Sequence, residues 1–288
     1  MFFHRVNQPA SVNEFAFVLA DRIVEFRPDD GVIVRDWKLA DIYDTSRPVP
    51  QPLTAFFYDV VYDSVLDEPL SDWTHTNGFF YDADSDSLVM TIRKMNAVVK
   101  LDLATSKLVW ILSRDWGWSP EFRELLLEPI GDVTFTFGQH APKVLPTGNV
   151  LIFDNGSNGR KYPGDEGFLA TIQGSPASYS RAIEFEIDES AGTVREVWSY
   201  GGPGSEYFYS EFVSEADRQP ITGNTLVHAG GQIVTADGEP TGDFQTGRMW
   251  IASKEVTAAG DKIWEVVIDD PMRRWASYRV ERMPSLYP

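Results

Sequence analysis

The chain of 288 residues contains four histidines and no cysteine. Imidazole is therefore the side chain available here as a nucleophile near neutral pH, since a neutral ring nitrogen carries a usable lone pair. His75 and His140 hold equivalent places, each at or just before the first strand of a hairpin, and His4 holds a similar place nearer the N-terminus. Imidazoles brought to one point could attack an ester, donate a proton or hold a divalent metal. Arg93 ends the second strand of the hairpin that follows His75, in Thr91-Ile92-Arg93-Lys94. Beside clustered imidazoles, its planar fork would act as a clamp for a tetrahedral oxyanion. Asn77, two residues after His75, shares its strand face by period-two alternation and could bind substrate or orient a ring. A strand-end cap is the alternative reading for Asn77. His228 follows a later strand, in Leu226-Val227-His228-Ala229-Gly230, and reads as a surface or loop-end imidazole.

These residues need a frame, and internal repeats supply one. No long stretch has helical periodicity, and short β-branched and aromatic runs alternate with Asp, Asn, Gly and Pro clusters, the all-β pattern. One hairpin type occurs four times, each with a Trp on its second strand: Ile23–Phe26 to Trp37, Val98–Leu101 to Trp110, Ala182–Phe185 to Trp198, and Trp250–Ala252 to Trp264. A second hairpin type precedes each copy, as in Phe79-Phe80-Tyr81 to Leu88-Val89-Met90 around Asp84-Ser85-Asp86. Two hairpins make a four-stranded antiparallel blade, and blades that bury one another radially make a β-propeller. The units span roughly 3–43, 72–112, 138–200 and 209–269, so the reading is one β-propeller domain over 1–288 with about four blades. First strands of blades line a central axis, which would bring His4, His75 and His140 to one focus.

Long connections at 44–71, 113–137 and 157–179 read as loops over one face. One carries a helix signal, with Ser119 as N-cap, Pro120 at the first helical position, then Glu121 to Leu127. Trp116, Trp118 and Tyr162 in these loops either stack on a ligand ring or pack onto the rim. Tyr278–Arg282 reads as a final strand that pairs with an earlier blade. Asp82–Asp86 starts like a calcium loop but lacks its glycine, and has Arg93 in place of the bidentate Glu; it reads as a hairpin turn. Asn155-Gly156-Ser157 fits a glycosylation acceptor and a plain turn, and the turn is preferred.

With 43 acidic against 25 basic residues, the formal net charge is −18. That argues against nucleic acid or an anionic membrane surface as partner. A 43% hydrophobic fraction with 13% aromatics can bury a sizeable core. No apolar run reaches the length of a membrane span. The start, Met1-Phe2-Phe3-His4-Arg5, lacks an apolar signal-peptide core. There is no G-x-S-x-G elbow and no P-loop.

Several motifs in order resemble the bacterial arylsulfotransferase family. They are Asp72-Trp73-Thr74-His75-Thr76-Asn77, Ser87–Arg93 with Ala97–Asp102, and Gln139-His140-Ala141-Pro142 followed by Leu151–Gly156. Tyr179–Ala182 through Val197–Gly201 and the ending from Tyr278 to Pro288 also match, so the likeness runs from about residue 20 to the end. The resemblance implies a six-bladed propeller that moves a sulfuryl group from a phenolic sulfate ester to a phenol, without a nucleotide donor, cofactor or metal. It puts the transient sulfuryl carrier on His140, a second active-site His and Asn on His75 and Asn77, and the sulfate-binding arginine on Arg93. A further active-site His falls on His4. Against six blades the chain is expected to be short by about two at its N-terminal side: either it is a short or truncated member, or its remaining surface is completed by another chain, a homo-oligomer being one form of that. Periplasmic or secreted placement is implied by the family, though this chain has no signal peptide. Lys94-Met95 stands where the family often has His-Gln.

In that chemistry His140 attacks sulfur, a phenolate leaves, and the sulfonated imidazole passes the group to a second phenol in a ping-pong cycle. Two other readings stay open at this stage: a metal enzyme built on the clustered imidazoles, which Arg93 would disfavour, and a non-catalytic propeller used for binding.

Overall fold

The computed structural model describes residues 2–6, 16–50, 70–166, 178–243 and 245–283, with the backbone alone at 2–6, 16–19, 70, 71 and 158. Strands dominate, and the longest α-helix among the described residues has four residues. No helix among them is long and apolar enough to cross a membrane. The chain divides into two compact units, Met1–Pro129 with Asp188–Thr193, and Ile130–Ile187 with Val194–Pro288.

The first unit is centred on an antiparallel sheet of β6 (Thr76–Asp82), β7 (Ser87–Ile92), β8 (Ala97–Asp102) and β9 (Lys107–Leu112), paired in that order. This is the four-stranded sheet expected of the second repeat. Its inner strands β7 and β8 are nearly continuous apolar runs and are buried on both faces, whereas β6 and the start of β9 alternate. Met90, Ile92, Val99, Leu101 and Ile111 join Trp37, Leu39, Trp73 and Trp118 in one core.

The stretch expected as the first blade is built differently. β3 (Arg22–Phe26) and β4 (Ile33–Lys38) form a separate two-stranded hairpin. β1 (Phe2–Val6) and β2 (Ala16–Ala20) instead form a three-stranded sheet with β5 (Leu70–Asp72), which pairs parallel to β2. The cause is a corner at Asp21, between β2 and β3. Its carboxylate accepts from the Thr74 hydroxyl at 2.7 Å and from the Thr76 N–H at 2.6 Å. The chain thus leaves one sheet for another at Asp21 and again at 73–75, and a single side chain ties the two crossings together.

The second unit holds two further sheets. β11 (His140–Val144), β12 (Val150–Asp154), β13 (Arg181–Asp188) and β14 (Thr193–Tyr200) are neighbours in that order. So are β15 (Glu215–Arg218), β16 (Thr225–Val234), β17 (Arg248–Val256) and β18 (Lys262–Ile268). The fourth repeat is therefore four-stranded, as expected, whereas the strands of the third lie in a five-stranded sheet whose further strand is β10 (Glu128–Pro129). Leu151, Phe153, Tyr200, Phe208, Val227 and Val256 pack as one cluster within this unit.

Of the repeated tryptophans, Trp37 and Trp110 are buried, but Trp264 on the outer strand β18 is 47% exposed. The helix at Pro120 (α1, Pro120–Arg123) does begin after Ser119, but it stops at Arg123 instead of reaching Leu127. Ser119 gives it no side-chain cap; its N–H donates to Asp44 at 2.7 Å instead. β10 (Glu128–Pro129) follows directly. Residues 278–282 form no strand, and Tyr278 lies in a bend whose carbonyl accepts from the Ser214 N–H at 3.2 Å.

Candidate functional site

In the first unit, His75 sits on the connection between β5 and β6 with φ at +51°. Two backbone bonds hold that left-handed residue against the β7 end: the Arg93 N–H donates to His75 O at 3.1 Å, and the Lys94 N–H to Thr74 O at 3.3 Å. The sheet therefore brings His75 and Arg93 together at one end. The His75 Nδ1 meets the carboxylate of Asp72, whose side chain is 4% exposed while that of His75 is 36% exposed. A carboxylate accepts, so Nδ1 carries the hydrogen. Asp72 was legible as part of a motif but not as the group that orients the ring.

Asn77 lies in a β-bulge, where the register shifts between Thr76 and Gly78. With His75 left-handed and Asn77 bulged, period-two alternation does not connect them, and the expected shared strand face has no basis. The bulge instead sets Asn77 independently, and its Oδ1 accepts from the Thr91 hydroxyl at 2.7 Å. Beyond β7 the chain turns through Arg93–Asn96, closed by an Asn96 N–H to Arg93 O bond of 3.2 Å. Lys94 and Met95, in that turn, are both buried. His4 falls in β1 opposite Val18, and its side chain lies outside the described residues.

In the second unit, His140 opens β11 and is 2% exposed. It pairs with Phe153 of β12, and the register then shifts before Lys143. Ala141 at φ +51° belongs to that irregularity. His140 Nδ1 lies 2.7 Å from Oδ1 of Asn155, at the end of β12. The Asn155 amide nitrogen is committed elsewhere, donating to Ser210 O at 2.8 Å and Val213 O at 3.1 Å. Its oxygen must therefore be the atom that faces His140, and an amide oxygen only accepts. Nδ1 then carries the hydrogen, and in the neutral ring the lone pair resides on Nε2. Tyr278 stands edge-on to the ring at 6.0 Å between centroids.

Asn155 was hidden in the sequence as part of a turn-like Asp-Asn-Gly. Its 0% exposure is incompatible with the surface acceptor that Asn155-Gly156-Ser157 resembles. The neighbouring Asp154 braces the same strand end. It accepts from the Phe137 N–H at 2.9 Å and pairs with Arg160 at 2.6 Å and Arg181 at 3.0 Å. Burial opposes the Arg181 charge, but the attraction of Asp154 and Glu196 prevails and raises its pKa. Gly156 has φ +71°, and a Cβ there would lie 2.0 Å from Tyr179 O, so only glycine allows the chain to leave β12 in this way.

His228 is neither at the surface nor at a loop end. It lies inside β16 and is 1% exposed. Its Nε2 donates to Ser277 O at 3.2 Å, and its Nδ1 is 2.9 Å from the Ser253 hydroxyl. Burial holds its pKa below the ordinary imidazole value, against the opposing influence of the Ser277 carbonyl and Glu215.

The loop aromatics are packing residues. Trp118 is buried under the Arg47 guanidinium, 3.8 Å from its ring centre, and Tyr162 is fully buried edge-on to Phe137 at 5.1 Å. Trp116 is half-buried, and its carbonyl accepts from Arg47 at 3.1 Å. Asp82–Asp86 is the β6–β7 hairpin turn, with Asp86 paired to Arg35 at 3.0 Å. Among the described residues, no three His, Asp or Glu side chains come together as metal ligands would.

The family model for arylsulfotransferase (ASST) matches residues 4–279. An arylsulfate sulfotransferase AssT of Escherichia coli O6:H1 is 34% identical over 195 residues, covering 60% of this chain and 30% of that protein. A second, from Lelliottia amnigena, is 28% identical over 187 residues, 59% of this chain and 30% of that protein. The matched part thus spans about a third of the length of these relatives.

Proposed function

We propose that this chain, which belongs to the arylsulfotransferase family, transfers a sulfuryl group from an aryl sulfate ester to a phenol through His140. The observation that carries the reading is the Asn155 contact, which places the hydrogen of His140 on Nδ1. In the first half-reaction, the Nε2 lone pair forms a bond to sulfur as the sulfur–oxygen bond to the aryl group breaks. The electron pair of that bond leaves on the phenolate, which takes a proton to become the free phenol. In the second half-reaction an acceptor phenol, losing its proton, attacks the sulfur of the sulfohistidine and restores neutral His140. One imidazole thus serves donor and acceptor in turn.

A loose transition state at sulfur places charge on the peripheral oxygens, so positioned cationic donors matter more than covalent assistance. In this reading Arg93 stabilises those oxygens, and His75, oriented by Asp72, supplies or relays the proton at the phenolic oxygen. Asn77 and His4 bind substrate. The four-stranded sheets are blades of a propeller, and the aryl partners are small molecules.

The test is to incubate the protein with 4-nitrophenyl sulfate alone and map the product by mass spectrometry. A sulfuryl group on the peptide containing His140, discharged by added phenol and absent in His140→Ala, is the expected result. Turnover by His140→Ala would overturn the mechanism, and so would stoichiometric bound metal with activity lost on chelation. Arg93→Ala is expected to lower kcat about 10²–10³-fold.

A further inference from the structure

One peptide group of the second unit ties together two neighbours of His140. The Val213 carbonyl accepts from Asn155 Nδ2 at 3.1 Å, and Asn155 Oδ1 is the atom that faces His140 Nδ1. At the other end of the same peptide, the Ser214 N–H donates to Tyr278 O at 3.2 Å. Tyr278 is also the ring that stands edge-on to His140, 6.0 Å between centroids. A trans peptide points its C=O and N–H in opposite directions, so the Val213–Ser214 peptide stands between the two.

That peptide is held against its backbone preference. Val213 has φ +51° and Ser214 has φ +86°. A β-branched residue in the left-handed region is a genuine outlier, and +86° lies beyond the small well that side chains tolerate there. Half a turn of the peptide plane would change ψ of Val213 and φ of Ser214 together, returning Ser214 to the ordinary negative range. The same rotation would turn the Val213 carbonyl away from Asn155 and present an N–H in its place. Ser210 O would then anchor the amide alone, and the amide turned over, with Nδ2 toward His140, would gain. His140 Nδ1 would have to accept from it, and Nε2 would lose its lone pair to the hydrogen.

Two buried hydroxyls oppose the rotation. Ser214 Oγ accepts from the Gly230 N–H at 3.0 Å and lies 2.9 Å from Ser210 Oγ, which accepts from the Gly231 N–H at 2.8 Å. Both serines are 0% exposed. The register of β16 against β17 shifts between Ala229 and Gln232, which leaves Gly230 and Gly231 outside that pairing. A Cβ at either glycine would collide with Ser277 O or Phe212 O, so the approach of the serine segment requires both. Strain of this kind persists only where the surroundings over-determine it, and it collects at functional sites.

We infer, on the reading that His140 carries the sulfuryl group, that Ser214 is a positioning residue for the reaction. It holds the Val213–Ser214 peptide in its strained orientation, so that Asn155 keeps the hydrogen of His140 on Nδ1.

Two variants of the full chain separate the backbone from the hydroxyl. Ser214→Ala and Ser214→Gly lose the same hydrogen bonds, but a positive φ carries no steric cost for glycine. Ser214→Ala is expected to lower kcat for 4-nitrophenyl sulfate and phenol about tenfold with KM little changed, because Ser210 O still anchors Asn155. Ser214→Gly is expected to recover most of that loss. The ring ¹⁵N signals of His140, assigned by their absence in His140→Ala, are recorded without substrate. Distinct signals for a protonated Nδ1 and a bare Nε2 are expected in the natural protein and in Ser214→Gly. In Ser214→Ala the two are expected to draw together as the tautomers mix. Val213→Asn covers the case of an alanine variant that does not fold. Asparagine accepts the left-handed region, and Tm is expected to rise by about 2–4 °C. Equal kcat and equal ring signals in the alanine and glycine variants would overturn the inference, and so would a Tm unchanged or lowered in Val213→Asn. A ring that responds to Ser214→Ala while turnover does not would overturn His140 as the sulfuryl carrier, a failure the ring signals distinguish.

Discussion

His140 and His228 are both buried histidines of the second unit, at 2% and 1% exposure, and both sit on strands. Their surroundings assign them opposite tautomers. At His140 the Nδ1 faces an amide oxygen whose own nitrogen is anchored on two carbonyls, so Nδ1 carries the hydrogen and Nε2 the lone pair. At His228 the Nε2 faces the Ser277 carbonyl and must carry the hydrogen, while Nδ1 accepts from Ser253. Each nitrogen of His228 is thus used to hold β16 to β17 and to the 277 segment. Burial therefore does not distinguish the two rings. What distinguishes them is which nitrogen the fixed neighbours force to be the donor, and the proposed mechanism rests on that difference.

The comparison breaks most directly at the rings themselves. His140→Ala is expected to lower sulfuryl transfer from an aryl sulfate by about 10⁴-fold or more, the scale on which loss of a nucleophile acts. Its measured counterpart, His228→Gln, is expected to keep kcat within a few-fold. If the two variants lost activity equally, the division of roles would be wrong.

Next comes the residue that orients the ring. Asn155→Leu is expected to reduce kcat about 10²-fold with KM little changed, because the acceptor that holds the hydrogen on Nδ1 is gone. Steady-state kinetics on the folded variant checks this. A loss confined to stability would place Asn155 beside His228 as a structural group.

His228→Gln should show its effect in unfolding. Urea titration is expected to report a loss of about 2 kcal/mol, since two buried hydrogen bonds are disturbed. The smallest effect is its pH dependence. The folded protein resists protonating His228, whose pKa is lowered by burial, whereas the unfolded chain takes up a proton near the ordinary value of about 6.5. The stabilising difference is therefore fully present above that value and is lost as pH falls toward the lowered folded value. It changes by at most about 1.4 kcal/mol per pH unit in that window. The stability gap between the natural protein and His228→Gln is expected to narrow from about pH 7.5 to about pH 5.5. A constant gap would mean that His228 is not held neutral.

The regularity of the fold was readable because it is local. The strand-turn-strand pairs of the second, third and fourth repeats recur in the structure as antiparallel runs of four strands, the third with β10 added as a fifth, since apolar runs and turn residues specify hairpins without distant help. The first repeat failed because its pairing depends on Asp21 meeting Thr74 and Thr76, residues 53 and 55 positions away. The helix after Ser119 was placed correctly at its start and overextended at its end. The same limit applies to Tyr278–Arg282, whose alternating pattern suits a strand but which forms none; the Tyr278 carbonyl accepts from the Ser214 N–H just before β15.

The site divides along the same line. Residue type and repeat position pointed to His75, His140 and Arg93, because imidazole and guanidinium at strand ends carry their chemistry in themselves. Their orienting partners were not legible. Asp72 looked like a motif residue, Asn155 like a turn, and His228 like a surface ring. Only the tertiary structure decided which nitrogen of His140 and of His228 bears the hydrogen. That choice is made by oxygens brought in from distant segments, with Ser210 and Val213 anchoring the Asn155 amide and Ser277 facing His228, and no local sequence pattern encodes the direction in which a distant backbone oxygen points.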